Sequence, residues 1–101
     1  MNDKVFLDSN IIVYAYDIQD PAKQAKAQVL ITAAIQQESA ILLVQVLGEF
    51  FVVVTRRIKN PLSVVEAEKI VHILATLPVY EIDVSLVRQA IYTQKKYGIS
   101  A

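Results

Sequence analysis

Three short β-prone runs, each followed by a longer segment, constrain the fold of this sequence more than any other feature. The runs are residues 5–7, 41–44 and 79–82, and apolar residues recur at helical spacing in the segments between and after them. Strands that alternate with helices form mainly parallel sheets with helices on both faces. The sequence therefore predicts an α/β fold of three layers, with a short, mainly parallel sheet whose first strand is buried.

Local signals predict where the helices begin and end. Asp20 before Pro21 is typical of an N-cap and a first helical residue, and Ser63 with Glu66 has the form of a capping box. The predicted helices are residues 21–38, 45–58 and about 63–77, and a last helix that Asp83 or Ser85 caps and that Gly98 ends.

The predicted sheet is narrow, because most sheets contain about four to six strands. The sequence ends at Ala101, soon after Gly98, where a further element is expected to begin. We therefore expect a single domain over residues 1–101 that is incomplete at its C-terminus.

Composition excludes several kinds of site chemistry. The chain has no cysteine and one histidine, which excludes disulfides, thiolate metal sites and multi-histidine sites. Its two glycines are isolated, so glycine-rich phosphate-binding loops are absent. The N-terminus does not have the form of a secretory signal. A membrane span needs about 20 apolar residues, and every apolar run here is shorter. A cytoplasmic location without a membrane partner is predicted, with carboxylates and amides as the reactive groups.

Asp8, Asn10 and Glu49 are the candidate site residues. Asp8 ends the first predicted strand, and parallel α/β sheets bind ligands beyond the carboxyl ends of their strands, although a turn or capping aspartate has the same pattern. Glu49 lies in an apolar window after the second strand, where its spacing from Gln45 and Arg56 also fits the solvated stripe of a helix. Oxygen ligands of this kind suit Mg²⁺ or Mn²⁺.

Three segments of the chain carry motifs that belong together. They are residues 5–12 (VFLDSNII), 43–50 (LVQVLGEF) and 97–100 (YGIS). Together they resemble the PIN domain, the fold of many metal-dependent endoribonucleases and of the VapC-type toxins of toxin–antitoxin pairs. The resemblance implies that Asp8 and Glu49 are catalytic metal ligands, that Asn10 lines the site, and that the substrate is RNA.

The resemblance also implies what lies outside these residues. In that family a further acid follows the segment that matches residues 97–100, and more acids and secondary structure lie downstream. We therefore expect this chain to contain at most half of the family's acidic cluster. Its ribonuclease activity is then expected to be absent or weak when the chain is alone. An antitoxin-like protein partner is implied by the family. A homo-oligomer is predicted, because the first strand and an apolar helix face would lack cover.

Two other interpretations stay open. A haloacid-dehalogenase-like phosphotransferase would use Asp8 as nucleophile, but Asn10 then stands where that chemistry needs a second acid. A PIN remnant without catalysis could act as a protein-interaction module.

The basic residues and the histidine carry weaker predictions. Arg56 and Arg57 lie at the end of a predicted helix, where the macrodipole favours cations, and RNA phosphate contact is their secondary role. Lys95 and Lys96 form a second basic pair. His72 lies among apolar residues and is interpreted as a partly buried structural histidine.

Overall fold

The computed structural model describes residues 4–97 and shows an α/β architecture. Its strands and helices follow the order that the sequence predicts, with one additional helix between the first strand and the first predicted helix. The elements are β1 (Val5–Phe6), α1 (Ser9–Tyr16), α2 (Pro21–Gln36), β2 (Ala40–Leu43), α3 (Val44–Arg56), α4 (Val64–Leu74), β3 (Val79–Tyr80) and α5 (Val84–Tyr97).

The three strands form one parallel sheet in the order β1-β2-β3. Val5 is in register with Ala40, and Leu42 with Val79. This confirms the predicted α/β class and the short parallel sheet flanked by helices. Because the strands are parallel, their carboxyl ends share one edge of the sheet, from which α1, α3 and α5 depart.

The main core lies on one face of the sheet. Leu7 and Leu42 contribute from the strand side, and α3 contributes Val46, Phe50 and Val54 at helical spacing. Phe50 is fully buried, and its ring meets that of Tyr16 edge-on, with 5.7 Å between the centroids. Side chains from α1, α2 and α4 complete this core, namely Ile12, Val13, Ala34, Ala67 and Leu74.

The opposite face of the sheet is less covered. Side chains alternate between faces along a strand, so Phe6, Ile41 and Tyr80 point away from the main core. With Leu86 of α5 they line an open groove of about 420 Å³. Leu86 is half-buried, whereas the other apolar side chains described on α5 are exposed.

The prediction of a buried first strand is wrong. Phe6 is 58% exposed and Val5 is also exposed, and of this run only Leu7 is buried. The reason is topological, because β1 lies at an edge of the sheet and has β2 as its only neighbour among the described strands.

The helix caps agree with the predictions more closely than the helix ends do. Asp20 accepts a hydrogen bond from the Lys23 amide, and the Ser63–Glu66 capping box is formed. Asp83, rather than Ser85, caps α5, with its Oδ1 2.8 Å from the Leu86 amide nitrogen. Three of the helices stop two or three residues early, and the proposed stop at Gly98 lies outside the described residues.

No helix among residues 4–97 combines the length and the apolar character that crossing a membrane requires.

Candidate functional site

Asp8 lies where β1 leads into α1, at the carboxyl edge of the sheet. It is the N-cap of α1, with extended backbone, and its Oδ1 accepts a hydrogen bond of 2.9 Å from the Ile11 amide. Among residues 4–97 no other hydrogen bond reaches this exposed carboxylate. Asp8 is therefore a capping residue, as one interpretation predicted, and its Oδ2 is still open to a further ligand.

Glu49 is held next to this junction by Ser9. The Ser9 hydroxyl donates a 2.8 Å hydrogen bond to Oε2 of Glu49, across 40 residues of sequence. Glu49 is exposed on the second turn of α3, while Ser9 is half-buried. The bond thus brings the residue that follows Asp8 into contact with the second predicted ligand.

Sequence reasoning missed Ser9. It lies within a triplet of turn-forming residues, Asp8 to Asn10, and a serine there has an ordinary local explanation. Its position directly after a candidate ligand was the available signal. Only the structure shows that its hydroxyl is directed at α3 rather than at its own backbone.

Asn10 is near the site without a contact that fixes it there. It is the second residue of α1 and is exposed. Within the described part of the chain, its side chain makes no hydrogen bond to Asp8 or Glu49. Asn10 lies near Asp8 because it is two residues away in the sequence, and no described contact holds its side chain there.

The donor set fits a hard divalent cation. Mg²⁺ is usually held by one or two carboxylates together with waters and substrate phosphates, and Asp8 and Glu49 supply two exposed carboxylates. Residues 4–97 contain no cluster of three or more His, Cys, Asp or Glu side chains that could hold a metal. A hydrated ion on these two carboxylates would consequently be held weakly.

Arg56, the last residue of α3, shares the exposed side of the helix with Glu49. Arg56 follows Glu49 by seven residues, which is two helical turns or about 10 Å along the axis. Gln45, one turn before Glu49, is exposed as well. The solvated-stripe interpretation of these three residues therefore agrees with their exposure, and Arg57 beyond them is exposed too.

The interpretation of His72 as partly buried is wrong. Its side chain is 77% exposed, and Nε2 lies 3.8 Å from Oε1 of Glu68 on the preceding turn. At 3.6 residues per turn, His72 lies about 140° around α4 from the buried Ala67. It therefore points to solvent and away from the core.

No protein-family model matches the chain, and a search of curated proteins finds no significant match. A function is consequently inferred from the residues and their contacts alone.

Proposed function

We propose that the chain is a PIN-type, metal-dependent endoribonuclease of the toxin-like kind, with its site at the carboxyl edge of the sheet. The observation that carries the proposal is the hydrogen bond from Ser9 to Glu49. It connects two motifs that are far apart in sequence at the edge where parallel sheets bind ligands.

Each residue has a distinct role in this proposal. Asp8 and Glu49 hold a hydrated Mg²⁺ or Mn²⁺, which when bound supplies a Lewis acid for the phosphate and acidifies a water. Ser9 restrains the Glu49 carboxylate through one oxygen and leaves Oε1 for a ligand. Asn10 lines the site, and Arg56 and Arg57 can contact phosphates farther along the strand.

The net reaction is hydrolysis of a phosphodiester. A water oxygen forms a new bond to phosphorus, one ribose oxygen leaves, and protons are transferred through water. Two carboxylates fix the metal incompletely, and a displacement of about 1 Å can cost about 10²-fold in rate. Slow cleavage by these 101 residues alone is therefore expected.

Metal titration and RNA hydrolysis test the proposal together. Mn²⁺ binding, followed by electron paramagnetic resonance, should be weak in the wild type and at least about tenfold weaker in Asp8→Asn and Glu49→Gln. Glu68→Gln, on an exposed face of α4, is the matched control and should bind Mn²⁺ as the wild type does. Any Mg²⁺-dependent cleavage of labelled single-stranded RNA should disappear in the same two variants.

Two outcomes would overturn this function. Equal Mn²⁺ affinity in the wild type, Asp8→Asn and Glu49→Gln would remove the metal site. An acyl-phosphate trapped on Asp8 would instead indicate the haloacid-dehalogenase-like phosphotransferase.

A second candidate function, as a protein-interaction module, is favoured by an exposed apolar surface. Ala25, Val29, Leu30 and Ala33 of α2 line a groove of about 650 Å³ beside Val5 of β1, which is an edge strand among the described residues. We propose that a second copy of the chain covers this α2 groove. An antitoxin-like protein is the alternative partner that the family resemblance suggests.

A further inference from the structure

α5 concentrates positive charge in a chain that is neutral overall. Residues 84–97 contain Arg88, Lys95 and Lys96 and no acidic residue, while the whole chain has ten basic and ten acidic residues. The helix therefore carries a formal charge of +3 and the rest of the chain −3. Arg88, Lys95 and Lys96 are all exposed.

These cations lie on one side of the helix, together with an aromatic ring. At 100° per residue, Arg88, Tyr92, Lys95 and Lys96 fall within an arc of about 100°. With Ile91 they line an open groove along the helix surface. The Lys96 Nζ lies 5.6 Å from the centre of the exposed Tyr92 ring.

The helix macrodipole does not explain this arrangement. It favours cations in the last turn, which accounts for Lys95 and Lys96. Arg88 is the fifth residue of α5, in the half of the helix where the macrodipole gives a cation no advantage. Leu86, at the opposite side, lines the sheet groove with Ser85 and Gln89. The four side chains Arg88, Tyr92, Lys95 and Lys96 are not part of this lining, so packing against the groove does not require them.

α5 begins at the same edge of the sheet as the candidate site. Asp83, three residues after the end of β3, caps the helix, and the carboxyl end of β3 lies on the same edge of the sheet as Asp8. From Arg88 to Lys96 the side chains extend over about 12 Å of helix axis, at 1.5 Å per residue. The carboxyl ends of β1 and β3 lie on the same edge of the sheet, with β2 between the two strands.

We propose that α5 binds the sugar–phosphate backbone of single-stranded RNA through Arg88, Lys95 and Lys96, with a base stacked on Tyr92. The inference rests on the proposed ribonuclease function and assigns its substrate a second contact surface. Cations along a groove with an aromatic ring are the usual elements of single-strand binding. A bilayer surface is a poorer fit, because interfacial helices typically insert Trp, Phe or Leu side chains, and residues 84–97 contain no Trp or Phe and have Leu86 directed to the sheet.

The test measures RNA binding without cleavage. Fluorescence anisotropy with a labelled single-stranded 12-mer in EDTA gives the affinity over a range of salt concentrations. The double variant Arg88→Gln/Lys95→Gln should bind about tenfold or more weakly at low salt, and its slope of log K against log salt should fall by about 1.4. Gln is a good helix former, so circular dichroism should show α5 retained.

A double variant of the same charge change is the matched control. Lys23→Gln/Lys69→Gln alters two exposed lysines on α2 and α4 and should leave the salt slope as in the wild type. Tyr92→Ala should weaken binding by about tenfold with an unchanged salt slope, since stacking involves no counterion.

Three results would overturn the inference: no RNA binding by the wild type at low salt, equal effects of the two double variants, or an unchanged slope in Arg88→Gln/Lys95→Gln. Two readouts separate this inference from the proposed function, because Glu49→Gln tests metal-dependent cleavage, whereas Arg88→Gln/Lys95→Gln tests RNA affinity in EDTA, where no metal-dependent cleavage occurs. Normal α5-dependent binding without any metal-dependent cleavage would leave α5 as an RNA-binding surface and refute the nuclease alone.

Discussion

α3 and α5 are similar helices with different surroundings. They have 13 and 14 residues, and each follows a strand of the same sheet. α3 buries Phe50 completely, whereas the apolar Ile91 of α5 is 52% exposed. Amphipathic spacing therefore predicts that a helix forms and does not predict that its apolar residues are covered.

The difference arises from the neighbours of each helix. α3 lies on the sheet face that α1 and α4 also cover, so its apolar side meets other apolar side chains. α5 lies over the opposite face, where Leu86 meets a shallow groove formed by Phe6, Leu43 and Tyr80. We expect substitutions in the two helices to differ accordingly in their effects on stability.

The largest difference is expected for core truncations. Phe50→Ala should lower the free energy of unfolding by about 3–5 kcal/mol, because it leaves a cavity in the main core. Ile91→Ala should change it by less than about 0.5 kcal/mol, because its side chain is exposed. Urea unfolding followed by circular dichroism measures both, and similar losses in the two variants would refute the comparison.

A charge in the α2 groove tests where copies of the chain meet. Val29→Glu should weaken self-association at least about tenfold, since a carboxylate would be buried without a partner. Val87→Glu places the same charge on the exposed side of α5 and serves as the control. Sedimentation velocity over a concentration series measures the self-association of the wild type and of both variants. A wild type that stays monomeric would refute the α2 interface.

Removing the N-cap should affect α4 and α5 differently. Ser63→Ala removes the capping box of α4, whose Ala67 and Leu74 are in the core, and should destabilise the whole domain by about 1 kcal/mol. Asp83→Ala should reduce helical circular dichroism from α5 and leave the unfolding midpoint of the core nearly unchanged. If Asp83→Ala lowered the unfolding midpoint of the core as much as Ser63→Ala does, α5 would be shown to unfold together with the core.

The smallest effect is expected from alkaline pH on the α1–α3 contact. Burial raises the pKa of the Tyr16 hydroxyl above its ordinary value. The unfolded chain therefore releases this proton first, so the contribution of Tyr16 is present below about pH 10 and is lost as pH rises above that value. Tyr16→Phe should make stability slightly less dependent on pH between 9 and 11, while the exposed Tyr80→Phe is the control.

Local patterns in the sequence predict much of this fold. The strand–helix alternation gives the parallel sheet, and the caps at Asp20 and Ser63 lie where their side chains predict. α1 is not predicted, because its eight residues follow directly after Asp8 and resemble an apolar run. Local patterns do not predict the exposure of Phe6, because it depends on strand order. The expected lack of cover over the first strand comes from the PIN resemblance instead.

The sequence predicts which acidic residues belong to the candidate site, but it does not predict how the site residues contact one another. Asp8 stands out as an acid at the end of β1, and Glu49 as an acid in the apolar window after β2. The contact through Ser9 depends on how α1 and α3 lie against each other. The basic side of α5 could have been found by plotting residues 84–97 on a helical wheel, because Arg88, Tyr92 and Lys95 follow helical spacing.

The contact between Ser9 and Glu49 has a consequence for the order in which the protein becomes functional during its synthesis. Asp8 and Ser9 leave the ribosome 40 residues before Glu49, which at about 5–20 residues per second is a delay of about 2–8 seconds. During this time the nascent chain carries only one of its two proposed ligands. If the proposed function is correct, the nascent chain cannot attack RNA near its own ribosome until β2 and the first two turns of α3 have emerged.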